Sequence, residues 1–188
     1  MPENKPAKLY KTLIIDPPWD CQQKGGNFGA SRHYNLMNLE QIKAMPVADL
    51  AAPDAHLYLW VTNAALPHGF EVLKAWGFQY RSIFTWIKPK LGLGNYLRNS
   101  SEAVLMATRG KLPIQFKAQM NWGFFPVQDH SHKPEEFHKI VERCSPGPYL
   151  ELFARRRTPG WDVWGNDKSI TSSIQIPGHP VSNYRREA

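Results

Sequence analysis

Apolar runs of strand length alternate with segments of helical period along most of this chain, and that alternation leaves few architectures open. Residues 9–15 read as a buried strand, and residues 56–61, 80–87, 102–108 and 149–153 read as four more. Between them lie three helical stretches. Asn38 heads a short one, with Gln41 placed for a capping box and Pro46 as its limit. Thr62 or Asn63 caps a second, which sets Leu66, Phe70 and Leu73 on one face and ends before Gly77. The third spans 134–144, with Phe137, Ile140, Val141 and Cys144 at helical spacing and Glu135 and Glu136 in the first turn. Residues 20–35, 88–101 and 111–132 show no such period and read as loops. Strands and helices interleaved in this way predict an α/β fold with a mostly parallel sheet wound on both faces.

At 188 residues one domain is the simplest division. The expected limits are a frayed leader over 1–8, a domain over 9–170, and a loosely packed tail over 171–188 carrying Pro177, Gly178 and Pro180. No apolar run is long enough for a membrane-spanning helix, so no membrane partner is expected. Cys21 and Cys144 form neither a metal-like pair nor a disulfide framework, which favours a reducing, cytoplasmic setting. A net charge of +7 suits a polyanion such as nucleic acid, though basic soluble domains are common. The seven tryptophans can serve as stacking platforms as well as core, and most are expected to be packing residues.

The first strand runs without a spacer into Asp16-Pro17-Pro18-Trp19. Both prolines fix φ and donate no hydrogen bond, a rigidity that leaving a sheet does not require. A nucleobase amine is a poor nucleophile because its lone pair is delocalised into the ring. A carboxylate accepting one N–H and a fixed carbonyl accepting the other favour a more tetrahedral nitrogen. Asp16 and the Pro17 carbonyl suit that task, and Trp19 suits a base face. The tetrapeptide is equally well a turn beside a core tryptophan. Lys133 stands at a helix start, where the macrodipole disfavours a cation unless an anion approaches. His130, His132 and His138 match no zinc spacing, so no metal is expected. The chain also lacks a phosphate-binding glycine loop of either common type.

Taken in order, six segments resemble the MT-A70 family of adenine-N6 methyltransferases. They are Asp16-Pro17-Pro18-Trp19, Leu57-Tyr58-Leu59-Trp60-Val61-Thr62, Trp86-Ile87-Lys88, Ser131-His132-Lys133-Pro134-Glu135, Glu151-Leu152-Phe153-Ala154-Arg155 and Gly160-Trp161-Asp162-Val163-Trp164-Gly165-Asn166. The resemblance implies a single Rossmann-like domain with permuted motif order, the catalytic strand preceding the cofactor elements. It implies S-adenosylmethionine as methyl donor. It assigns Asp16, Pro17, Pro18 and Trp19 to adenine binding and activation, and Asp16, Lys133, Phe153, Arg155, Arg157, Gly165, Asn166 and Asp167 to the cofactor. Tyr34, Trp86, Lys88, Arg98 and Glu102 fall in segments bordering the target base. Lys133 then has an anion to meet, the methionine carboxylate.

The chain departs from eukaryotic relatives at Arg157 and Asp167, where a histidine and an amide are common, and in having no zinc finger or separate recognition domain. That compact form resembles a bacterial or phage branch, for which DNA is favoured as substrate over RNA and a homodimer is compatible. Two other functions fit less well. A non-catalytic nucleic-acid-binding subunit would not need the intact Asp16 motif with Lys133 and Asn166. A cytosine-N4 methyltransferase more often begins its motif with serine.

Overall fold

A computed structural model describes residues 8–20, 36–92, 94, 96–127, 133–167 and 169–181. The elements in chain order are β1 (Tyr10–Ile15), α1 (Leu39–Lys43), α2 (Val47–Leu50), β2 (Ala51–Val61), α3 (Leu66–Ala75), β3 (Gln79–Ile87), β4 (Ser101–Arg109), β5 (Trp122–Phe124), α4 (Glu135–Cys144), β6 (Tyr149–Leu152) and β7 (Trp161–Trp164). These seven strands form one sheet in the order β5-β3-β4-β2-β1-β6-β7. β1 is central, parallel to β2 on one side and to β6 on the other. β7 is parallel to β6, and β5 to β3. Among the described strands β4 alone is reversed, pairing antiparallel with both β2 and β3. The domain is thus a mixed, mostly parallel α/β sheet of Rossmann-like form.

Helices cover both faces. Ile42 of α1 and Val72 and Leu73 of α3 pack with Leu13, Ile15, Leu57 and Leu59 on one side. Phe137 and Val141 of α4 pack with Ile14, Tyr58, Trp60, Phe84 and Trp86 on the other. This follows from the two-residue period of a strand, which sends Leu13 and Ile15 one way and Ile14 the other. Leu13, Ile14 and Ile15 are all at most 1% exposed, and burying each contributes about 1.5–3 kcal/mol. The Asn38 capping box forms as expected, with Gln41 N–H donating to Asn38 Oδ1 at 2.9 Å and Asn38 N–H to Gln41 Oε1 at 2.9 Å.

Several expectations change. β2 begins five residues before His56, because Pro53 is tolerated where the pairing with β1 slips between Tyr10 and Thr12. α3 has Ala65 as its N-cap with no side-chain cap bond, and Thr62 instead closes the preceding turn by accepting from Ala65 N–H at 3.2 Å. Phe70 does not join the buried face of α3. It is 42% exposed and meets Tyr80 edge-on, while Gly69, Val72 and Leu73 face the sheet. A β-carbon at Gly69 would lie 2.8 Å from both Leu105 and Val61, so the helix approaches the sheet through a residue that has none. The segment 111–132 contains β5, and 161–164 is a strand in its own right. In the tail, Ser172 is fully buried, Ile176 is 3% exposed, and Ile174 and Val181 lie against the core, so its described part is packed rather than loose. The expected loop over 20–35, apart from Asp20, and residues 1–7 and 182–188 lie outside the described residues.

Candidate active site

Strand direction builds the site. Parallel β1, β2, β3, β6 and β7 all end on one rim, which brings Asp16, Thr62, Lys88, Phe153 and Gly165 there. Reversed β4 begins on that rim and brings Glu102 to it, opposite Trp86 of β3. Side-chain alternation adds a second constraint. Asp16, Lys88 and Glu102 lie two residues from Ile14, Trp86 and Val104, so all three share the face that α4 covers. Lys133, two residues before α4, descends onto the same spot.

There the four charges form a chain. Lys133 Nζ is 2.9 Å from Asp16 Oδ2 and 3.2 Å from Glu102 Oε2, and Lys88 pairs with Glu102 Oε1. Tryptophan rings support both ammonium groups: Lys133 Nζ lies 5.1 Å from the Trp60 centroid and Lys88 Nζ 4.7 Å from the Trp86 centroid. Burial pushes the Asp16 carboxyl above the usual range, opposed by the Lys133 ammonium and the Arg155 guanidinium. Burial also works against the charge on Lys133, but Asp16 and Glu102 outweigh it and hold the ammonium above its ordinary value. For Glu102 burial is likewise overcome, by Lys133 and Lys88, and the carboxyl is held low. Glu102 thus keeps its charge, and Lys133 is the cation that two carboxylates share.

The Asp16 motif is fixed by its own backbone. Trp19 N–H donates to Pro17 O at 2.9 Å, a turn that occupies one lone pair of that carbonyl and sets its direction. Met37 N–H donates to Pro18 O at 2.9 Å and Asp20 N–H to Met37 O at 3.0 Å, tying the motif to the segment before α1. The Trp19 indole donates from Nε1 to Trp60 O at 2.9 Å, so its ring plane is held at the rim. Trp19 is therefore neither free surface nor full core.

Beside this, on the same rim, lie the ends of β6 and β7. Phe153, directly after β6, has φ of 62°, a conformation that costs a non-glycine residue about 1–3 kcal/mol and recurs at ligand sites. Its ring meets Trp164 edge-on at 5.2 Å. A β-carbon on Gly165 would lie 2.3 Å from Ala154 O, so only glycine fits where these two chain segments touch. Ser172 Oγ accepts from Gly165 N–H at 3.1 Å and donates to Gly165 O at 3.0 Å. Ser169 Oγ reaches Asp167 Oδ1 at 2.6 Å and Arg155 O at 2.8 Å, tying together the loops that carry these two residues. Asn166 is exposed beside them.

Not every expected residue joins the cluster. Trp86 is 2% exposed and donates from Nε1 to Phe125 O at 2.9 Å, so its ring supports Lys88 from the core and offers no free base-stacking face. Arg98 is exposed on the loop after β3, with Nη1 3.4 Å from Gly94 O, and Arg157 is exposed after β6. Of the three arginines, the middle one is structural: Arg156 pairs with Glu135 at 2.8 Å and lies 3.4 Å from His138 Nδ1. Tyr34, His130 and His132 fall outside the described residues. His138 is packed against Glu151 at 2.9 Å, and among the described residues no group of three or more His, Cys, Asp or Glu side chains is set to hold a metal ion. Trp60 is not among the site residues expected from the sequence, yet its ring seats Lys133 and its carbonyl anchors Trp19. Its one signal is an aromatic at a strand end in the middle of a motif.

The MT-A70 family model matches residues 10–167. Among similar proteins, the Type II methyltransferase M.MunI of a Mycoplasma species is 29% identical, the match covering 92% of this chain and 83% of that protein. Human N(6)-adenine-specific methyltransferase METTL4 is 30% identical over 85% of this chain and 38% of its own length. The human N(6)-adenosine-methyltransferase catalytic subunit METTL3 is 28% identical over 84% of this chain and 28% of its own. With the family model spanning both the Asp16 motif and Gly165, this chain belongs to the MT-A70 family.

Proposed function

We propose that this chain transfers a methyl group from S-adenosylmethionine to N6 of adenine in DNA. The observation that carries the reading is the convergence of Asp16, a fixed Pro17 carbonyl, Trp19 and Lys133 on one rim, next to the ends of β6 and β7, where the proposal places a donor recess beside Phe153 and Gly165. The named activities of METTL4 and METTL3, N(6)-adenine- and N(6)-adenosine-specific, support the atom and the base. The choice of DNA rests on the similarity to M.MunI, a Type II methyltransferase, 83% of whose length the match covers.

The recess suits the proposed donor in its chemistry. Lys133 supplies a cation for the amino-acid carboxylate, Asn166 and Asp167 supply amide and carboxylate groups for ribose hydroxyls, and Phe153 supplies an apolar edge. When bound there, S-adenosylmethionine would supply an electrophilic methyl group on a positively charged sulfur, the methyl–sulfur bond breaking with its electron pair left on sulfur to give neutral S-adenosylhomocysteine. Asp16 accepts one N–H of the adenine amine, and the second lone pair of the Pro17 carbonyl accepts the other. As nitrogen bonds to carbon it becomes positive, and the Asp16 carboxylate balances that charge. The N–H proton then leaves toward Asp16, whose raised pKa makes it the better acceptor. Trp19 covers the base. The permuted order is part of this reading: the strand carrying Asp16 comes first in the chain, while β6 and β7, which border the recess, come last.

The test is labelled methyl transfer to single-stranded DNA, duplex DNA and RNA, followed by digestion and identification of the base. N6-methyladenine in DNA is expected. A label only in cytosine, or a melting temperature that the donor leaves unchanged, overturns the proposal.

A further inference from the structure

The loop from β3 to β4, residues 88–100, rises from the same rim as Asp16, and its base is firmly held. Lys88 N–H donates to Ser100 O at 2.7 Å, and Asn63 Nδ2 donates to Asn99 Oδ1 at 2.7 Å. The Lys88–Glu102 pair joins that base directly to the charge cluster. Two glycines let its limbs touch. A β-carbon on Gly92 would lie 2.2 Å from Asn99 O, and one on Gly94 would lie 2.0 Å from Leu97 O. The loop is therefore a narrow projection with a rigid root.

Its tip is apolar. Tyr96 is 100% exposed, Leu97 84% and Leu91 71%, the largest exposures among the bulky hydrophobic residues described. Three such side chains grouped on one loop, beside a site, call for a partner. The surrounding charge says which kind. Lys88 is taken up by Glu102, but Lys90 and Arg98 remain, and residues 88–100 contain no Asp or Glu, which suits a polyanion. The Asp16 side chain is only 15% exposed, so an adenine stacked inside a duplex cannot present its amine there. It must leave the stack.

We propose that Tyr96 and Leu97 form a wedge that enters the base stack of duplex DNA beside the target adenine and holds the gap open while that adenine occupies the Asp16 rim. Lys90 and Arg98 meet the flanking phosphates. Apolar side chains inserted between base steps take the place of the departed base in the stack, and basic neighbours fix the register. This inference rests on the proposed action on DNA, and it identifies the part of the chain that exposes the base.

The experiment compares the full chain with Y96A/L97A on native genomic DNA and on the same DNA after heat denaturation, reading labelled methyl incorporation. Because both side chains are exposed, the melting temperature of the variant should match that of the parent. The ratio of incorporation on native to denatured DNA should fall about ten-fold or more. A second readout is independent of chemistry: a random-sequence duplex containing 2-aminopurine should brighten on binding the parent and not on binding the variant. An unchanged ratio, or equal brightening with both proteins, overturns the wedge. A parent dimer that becomes a monomer in the variant, with equal losses on both DNAs, also overturns it and gives the loop to self-association. If the parent unstacks 2-aminopurine but methylates neither DNA, the proposed function fails and the wedge stands.

Discussion

Asp16→Asn separates the chemical role of this carboxyl from its structural one. The amide keeps the size of the side chain and one acceptor oxygen but carries no charge. Breaking a buried ion pair costs about 3–5 kcal/mol when it strands the partner charge. Here Lys133 retains Glu102 at 3.2 Å, and Asp16 is 15% exposed, so the expected cost is about 1–2 kcal/mol. For a chain of this size that is a loss of about 2–8 °C in melting temperature. Catalysis should suffer far more. Loss of the charge that balances the developing cation, and of the proton acceptor, is worth about 10²–10⁴ in rate. The assay is the initial rate of labelled methyl transfer at saturating donor, with a thermal melt of the same preparation. A variant that melts within that window yet keeps more than about a tenth of the parent rate would refute the assigned role of Asp16.

Glu102→Gln leaves Lys88 and Lys133 facing each other across a neutral group, so chemical denaturation should show a loss of about 1–3 kcal/mol, together with weaker donor binding by calorimetry. Gly165→Ala forces a β-carbon to 2.3 Å from Ala154 O, and the donor-induced rise in melting temperature should vanish even where the fold survives; a normal rise would show that the recess is not the donor site. His56 is fully buried between Ser145 Oγ at 2.7 Å and Leu112 O at 2.8 Å, and burial holds its pKa below the ordinary 6.5. The unfolded chain takes up that proton first, so the contribution of His56 is complete above about pH 6.5 and is lost as pH falls below it. Melting curves between about pH 8 and pH 5 should show the decline, and His56→Gln should be less stable throughout but lose less on acidification.

Much of the central sheet is legible in the sequence because its strands are buried on both faces and read as continuous apolar runs, β1 above all. The capping box at Asn38 is legible for the opposite reason, being wholly local. What escapes the sequence depends on strand direction and neighbours. Glu102 is singled out in the sequence only through the resemblance, because it stands at a strand start, where a parallel strand would have carried it to the opposite rim; reversal of β4 brings it to Asp16. Trp86 sits in a motif next to Lys88, and nothing local shows that its ring faces inward to Trp60, 6.1 Å away and nearly perpendicular. Phe70 and Val72 differ by two positions on one helix, and only the close approach at Gly69 settles which faces the sheet. β5 has three residues and no periodicity to read. Prolines point to Asp16 as a site, yet another hides the start of β2, since Pro53 looks like a boundary until the register slip around it is seen.

The most direct test of the proposed chemistry follows the new bond itself. The chain is given S-adenosylmethionine with a ¹³C methyl group and DNA carrying ¹⁵N only at adenine N6, and the product is read by NMR. Transfer to the amine predicts a methyl carbon with a one-bond coupling to that nitrogen, lost on Asp16→Asn. A labelled methyl without the coupling, attached to a ring nitrogen or to another base, would contradict it.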